Sequence, residues 1–198
     1  DETLVSTDSE EYAEVGRDHG GAVPFIRPAE HATDDAPASD VILHALDWFA
    51  DNGETFDVVV LVEPTSPLRK PSDIDDALEK FDERQDWGEA IVSVREVREE
   101  GNPYLLNHIE NDRLVPFMES DEEIFQRQQL PTFYQPEGTL YASTVGAFRE
   151  RESFYHDQTI PYVVERWQSF EIDDQIDFVC VEGVLELKWS EVAGAPTG

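Results

Sequence analysis

The chain has 198 residues, with 45 acidic against 14 basic, giving a formal net charge of −31 and a pI near 4.1. That length holds one domain with a sizeable core; the charge balance alone would suit disorder, but 39% hydrophobic and 11% aromatic residues in periodic runs argue for a folded protein. With no basic stripe to offset phosphate repulsion, nucleic acid is excluded as a partner, and no apolar run reaches membrane-spanning length. The single cysteine, Cys180, rules out an internal disulfide and, with no visible signal peptide, fits a cytoplasmic protein. Its apolar neighbours predict a packed thiol. Only three lysines occur, Lys70, Lys80 and Lys188, and acids stud the predicted helix surfaces. We read this as a halophilic surface, on which dense salt screens self-repulsion.

In chain order, Thr3–Ser6 reads as a strand. Ser9 with glutamates close behind forms a capping signature for a helix running to about His19 and stopped by Gly20-Gly21. Val41, Ile42, Ala45, Leu46 and Phe49 recur at helical spacing until Asn52-Gly53. Val58–Val62 is an unbroken apolar run, the pattern of a strand buried on both faces of a parallel sheet. A carboxylate-rich helix from about Ser72 to Glu83 and a second buried strand, Ala90–Val94, complete a strand–helix–strand grammar. Beyond Gly101 the texture turns to β: a hairpin over Tyr104–Phe117 and a strand at Gly138–Ala142. A short helix at Phe148–Phe154, a short strand at Ser169–Ile172 and a final helix capped by Asp174 follow. That helix aligns Ile176, Val179, Cys180, Gly183, Val184 and Leu187 on one face, and a flexible tail is predicted at 188–198.

Ligands of open α/β sheets bind beyond the carboxyl ends of the strands. The loop after Val62 is stiffened by Pro64 and Pro67, and it carries Thr65, Ser66 and Arg69 where an anionic ligand can be met. A rigid strand–helix turn with no ligand has the same residues.

Several separated pieces point to one family. Ser6-Thr-Asp-Ser9, Arg27-Pro-Ala-Glu30, Pro64-Thr-Ser-Pro-Leu-Arg69, Arg127-Gln-Gln-Leu-Pro131, Glu137-Gly-Thr-Leu-Tyr141 and Glu171-Ile-Asp173 occur in order. Together they resemble the acylneuraminate cytidylyltransferases, or CMP-sialic acid synthetases, over about residues 1–187. The resemblance implies an α/β fold: a Rossmann-like nucleotidyltransferase sheet with a β-rich dimerisation arm at about 102–130, working as a homodimer. The implied reaction transfers CMP from CTP to a nonulosonic, sialic-type sugar acid with Mg²⁺, releasing pyrophosphate. Residue by residue, Glu171 and Asp173 match the metal-binding carboxylates, ordinarily Asp-Ile-Asp, and Arg127 matches an arginine used toward the acidic sugar. Asp173 and Arg127 are the expected catalytic residues. Arg27, Glu63, Thr65, Ser66, Arg69, Gln128, Glu137 and Gly138 are the expected substrate-binding residues.

The departures are chemical. Glu63 stands where the family usually has glutamine, Glu137 where asparagine is common, and Leu105 and Gln135 where some members are basic. The family's phosphate loop, Ala-Arg-Gly-Gly-Ser-Lys-Gly-Ile-Pro, and the strand before it have no counterpart here, so the sheet is expected to lack its first strand and the given chain to turn over little or no CTP. Two other readings stay open: a non-catalytic dimeric partner that keeps the fold, and a cytidylyltransferase for another 2-keto sugar acid such as 3-deoxy-octulosonate. The charge yields a direct expectation. The melting temperature should climb as KCl rises from about 0.2 to 2 M, and a melting curve indifferent to KCl refutes the halophilic reading.

Overall fold

The computed structural model describes residues 2–33, 35–118 and 130–192, with the backbone alone at 190–192. The described residues form two compact units, one drawn from Asp1–Val58 with Val145–Ser153, the other from Val59–Thr144 with Phe154–Gly198.

In the first unit, α1 (Glu10–Asp18) starts at Ser9, whose side chain accepts the Tyr12 N–H, as the capping pattern predicts. Helix α2 (Ala38–Asp51) buries Ile42, Leu46 and Phe49. Both helices end on a glycine at φ +87°, Gly20 and Gly53, a left-handed position that β-carbon-bearing residues resist. Rings of Phe25, Trp48, Phe49 and Phe56 interlock across α2, and α4 (Val145–Arg151) adds buried Ala147 and Phe148. The strand expected at Thr3–Ser6 is reduced to a single parallel bridge, Leu4 to Ala22.

The second unit carries the sheet, whose strands β1 (Val58–Leu61), β2 (Ala90–Glu96), β5 (Tyr134–Thr144) and β6 (Thr159–Val163) lie in the order β1-β5-β2-β6. Strand β2 is buried from Ala90 to Val94 and β5 from Glu137 to Ser143, whereas β1 is half-buried along its length. The apolar run Val58–Val62 therefore overstated its burial. The sheet is also mixed: β2 runs parallel to β6 and antiparallel to β5. Strand β6 escaped the sequence reading because Pro161 interrupts it; it lies at the sheet edge, where a missing N–H is tolerated. Helix α3 (Pro71–Asp82) buries Asp73, Ala77 and Phe81.

The predicted hairpin forms from β3 (Asn107–Glu110) and β4 (Arg113–Pro116), a separate two-stranded sheet. Asn111 and Asp112 take φ of 50° and 61°, the two left-handed positions of a type I′ turn. Ile109 and Leu114 are 76% and 72% exposed on it. Residues 119–129 of the expected arm lie outside the described residues.

Three expectations near the C-terminus are corrected. Ser169–Ile172 is not a strand; a 3-10 helix, Arg166–Ser169, precedes an irregular segment. Helix α5 (Gln175–Val192) does start after Asp174, whose carboxylate accepts the Ile176 and Asp177 N–H groups, but it continues past the expected tail boundary at 188. Its apolar residues are spread around the axis rather than gathered on one face: Ile176 is 72% and Leu187 84% exposed, Cys180 is exposed, and Val181 is the buried side chain. Cys180 is therefore not packed.

The pairing of β2 with β5 has a marked irregularity. Val92 faces Tyr141 and Val94 faces Pro136, so Glu137, Gly138, Thr139 and Leu140 stand opposite Ser93 alone. Such a bulge leaves ladder groups unpaired, and Ser93 meets them. Its Oγ lies 2.8 Å from Glu137 O and 2.9 Å from Leu140 O, donating its proton to one, and accepts Leu140 N–H at 2.9 Å. Ser93 is fully buried, so Ser93→Ala should lower stability by about 1–3 kcal/mol, the cost of stranding buried partners, read as a lower denaturation midpoint.

Candidate active site

The bulge pushes Gly138 outward against the loop that follows β1. A β-carbon at Gly138 would lie 2.5 Å from Glu63 Oε2, 3.1 Å from Glu171 Oε1 and closer still to Ser66 Oγ. Only glycine fits where these three side chains meet. Gly138 N–H donates to Glu171 Oε1 at 2.6 Å, and Ser66 Oγ donates to the same oxygen at 3.4 Å. Thr65 lies exposed on the loop and accepts the Ile172 N–H through its carbonyl at 2.9 Å, which tethers the chain on the far side of Glu171.

Arg69 braces the same point from behind. Its Nη2 donates to Glu63 O at 2.7 Å and lies 3.5 Å from Gly138 O, while its Nε donates to Thr139 O at 3.1 Å. The guanidinium thus spends these donors on main-chain carbonyls of the loop and the bulge. Glu137 is 3% exposed: its Oε2 accepts the Thr139 hydroxyl at 2.8 Å and Thr139 N–H at 3.3 Å, and its Oε1 has no hydrogen-bond partner among the described residues.

Three carboxylates in so small a volume affect one another. Burial, then the charges of Glu171 and Glu137, push the Glu63 carboxyl above its usual 4.5. Burial pushes Glu137 up as well, against the pull of its Ser93 and Thr139 hydrogen bonds. Tyr141, next along β5, is held as a neutral phenol by burial and by Glu63, and Tyr155 is raised by burial beside it, their rings 6.1 Å apart. Tyr155 was missed from sequence: nothing marks an exposed tyrosine after Phe154, whereas Tyr141 stood in the Gly-Thr-Leu-Tyr piece without being assigned a part.

Asp173, two residues beyond Glu171, presents an exposed side chain. Among the described residues no group of three or more His, Cys, Asp or Glu side chains is arranged to enclose a metal. Two carboxylates are nevertheless the usual protein share for Mg²⁺, which keeps waters and draws its other oxygens from substrate phosphates. The donor chemistry of Glu171 and Asp173 therefore fits that ion.

Arg27 belongs to the first unit. Its Nη2 pairs with Asp8 at 3.6 Å, Nη1 reaches Ser6 O at 3.4 Å, and its buried Nε has no partner among the described residues. Arg127 and Gln128 lie outside the described residues. Glu63, Ser66, Gly138 and Glu171 are brought together, Arg69 and Thr65 frame them, and Glu137 lies buried alongside.

The carboxylate-lined cluster lies beyond the β1 strand, in the region where open α/β sheets bind ligands. Residues 1–185 match the family described as Cytidylyltransferase, and the chain belongs to that family. It is 30% identical over 188 residues to the CMP-N,N'-diacetyllegionaminic acid synthase of Legionella pneumophila, covering 94% of this chain and 79% of that protein. Against the N-acylneuraminate cytidylyltransferase of Streptococcus agalactiae serotype V it is 31% identical over 182 residues, 92% of this chain but 42% of that protein. Among solved structures, a CMP:2-keto-3-deoxy-manno-octonic acid synthetase complexed with CTP superposes with a TM-score of 0.60 at 12% identity, over 96% of this chain and 82% of that one. That likeness establishes the Rossmann-like fold.

The raised Glu63 has a measurable consequence. Its folded-state affinity for a proton exceeds the unfolded one, so the stabilisation is full below the usual value of 4.5 and is lost as pH rises through the folded pKa. Glu63→Gln should therefore melt higher than the parent at about pH 8, the gap closing below about pH 4. A constant gap across that range, or none, contradicts the assignment.

Proposed function

We propose that this protein transfers CMP from CTP to a nonulosonic, sialic-type sugar acid. The observation that carries the reading is the convergence of Glu63, Ser66, Gly138 and Glu171 at one point, in a chain whose relatives bear cytidylyltransferase and CMP-sugar synthase names. In the reaction the anomeric hydroxyl oxygen attacks the α-phosphorus of CTP. The bond from that phosphorus to the bridging oxygen breaks, pyrophosphate leaves, and the hydroxyl proton passes to solvent or a base.

Each residue then has a task that its environment supports. Glu171 and Asp173 would hold Mg²⁺, which supplies positive charge to the triphosphate during displacement. Gly138 N–H and Ser66 Oγ orient Glu171 by occupying one oxygen and leaving the other open. Glu63 faces the sugar and accepts a hydrogen bond from one of its hydroxyls, with its carboxyl pushed above the usual value by burial and by the neighbouring carboxylates. Glu137 Oε1, buried with no hydrogen-bond partner among the described residues, would accept from a sugar hydroxyl once the bulge shifts to admit it. Thr65 borders the same mouth, and Arg69 keeps the loop and bulge in register. Arg27, with a donor to spare, serves the nucleotide, and Arg127 with Gln128 serves the acidic sugar.

The wider assignments belong to the same proposal. The exposed apolar residues of the β3–β4 hairpin suit an arm that pairs two copies of the chain. Among the described residues no helix is long and apolar enough to cross a membrane, and we place the protein in the cytoplasm, where CTP is available. The test joins a family-type phosphate-loop segment to the N-terminus of the chain and measures pyrophosphate release from CTP with Mg²⁺ in about 2 M KCl, using N-acetylneuraminic, legionaminic and pseudaminic acids as acceptors. Release with at least one acid is expected. Silence with all three overturns the proposal, and release with 3-deoxy-octulosonate alone reassigns the sugar.

A further inference from the structure

Glu171 sits on an irregular segment between the Arg166–Ser169 turn and α5, with no ladder of its own to fix it. Its position depends on what grips that segment. On the surface, Lys70 Nζ pairs with Glu165 at 3.0 Å, an exposed contact of the kind that contributes little. Beneath it lies a different arrangement. Asp73, in the first turn of α3, is fully buried; its carboxylate accepts Lys70 N–H at 2.6 Å, the Tyr162 hydroxyl at 3.1 Å and the side-chain amide of Gln168. Gln168 is fully buried too, and its Oε1 accepts Glu165 N–H at 3.1 Å. One carboxylate thus caps the helix that follows the Pro64–Lys70 loop, binds β6 through Tyr162, and grips the segment that leads to Glu171.

The two site-bearing stretches are therefore fastened at both ends. Asp73 and Gln168 join them at one end, and Thr65 O with Ile172 N–H joins them at the other. Glu171 hangs between these ties, its Oε1 meeting Gly138 N–H and Ser66 Oγ. Removing the buried carboxylate would leave the Gln168 amide and the Tyr162 hydroxyl without their acceptor in the interior, which costs far more than losing an exposed pair.

We propose that Asp73 and Gln168 form a buried positioning pair that sets the placement of Glu171, with neither residue touching substrate. Part of its test, the metal measurement, rests on the transfer reading above; the other part does not.

The experiment compares the parent with Asp73→Ala, Gln168→Leu and, as a control, Ala77→Gly, which loosens the same helix without touching the pair. Amide hydrogen exchange followed by NMR reads the Gly138 and Ile172 N–H groups against the amides of β2. In both pair variants the two site amides should exchange about tenfold or more faster relative to β2, and Asp73→Asn, which keeps an oxygen for Lys70 and Gln168, should recover most of the protection. In Ala77→Gly they should move only in step with β2. Site amides that track β2 in the pair variants overturn the proposal. Should Asp73→Ala fail to fold, Gln168→Leu decides, because it leaves the α3 cap intact. A parallel titration with Mn²⁺ in the presence of CTP should show about tenfold weaker binding in the pair variants and not in the control. Faster site amides with unchanged Mn²⁺ binding leave the positioning pair standing and refute the metal assignment of Glu171, so the two failures are distinct.

Discussion

Four residues of β5 face one residue of β2, and the buried hydroxyl of Ser93 absorbs the mismatch. Without that hydroxyl the polar groups of Glu137 and Leu140 would be left short of partners in the buried stretch of β5. With it, the strand steps outward at Gly138, where the backbone N–H meets Glu171 and the missing side chain makes room for Glu63 and Ser66. The site is the product of a register error held in place. Regular pairing would direct Gly138 into the ladder and leave Glu171 without its backbone donor.

The electrostatics follow from the same crowding. A chain with 45 acids can keep most of them in water, where salt screens them. Glu63 and Glu137 are different because burial adds to repulsion, and both are pushed toward the protonated form. The exposed acids and the site carboxylates thus sit in different surroundings, the first in water and the second under burial that raises their proton affinity.

Much of this was legible in the sequence, for identifiable reasons. Ser9, Asp174, Gly20 and Gly53 announced helix ends because capping is a local property of a few residues. The hairpin was legible from its apolar runs and the Asn-Asp turn. The pieces Pro64–Arg69, Glu137–Tyr141 and Glu171–Asp173 identified the family and supplied the residues that the fold brings together. What stayed hidden was non-local. Pro161 concealed β6 because edge position cannot be read from a strand's own residues, and the Ser93 bulge depends on a partner more than 40 residues away. Helix α5 misled because apolar content was taken for burial, while its residues surround the axis. Asp73 looked like one more acid on an acidic helix, and only the tertiary structure shows it buried against Tyr162 and Gln168.

Arg69 carries a last implication. It bonds the carbonyls of Glu63 and Thr139, groups that every amino acid presents in the same way. The hold of the arginine on the loop and the bulge therefore passes through the main chain and not through the side chains at positions 63 and 139. Such a brace separates architecture from side-chain chemistry: a substitution at position 63 that keeps the backbone leaves the Arg69 hydrogen bond to its carbonyl in place.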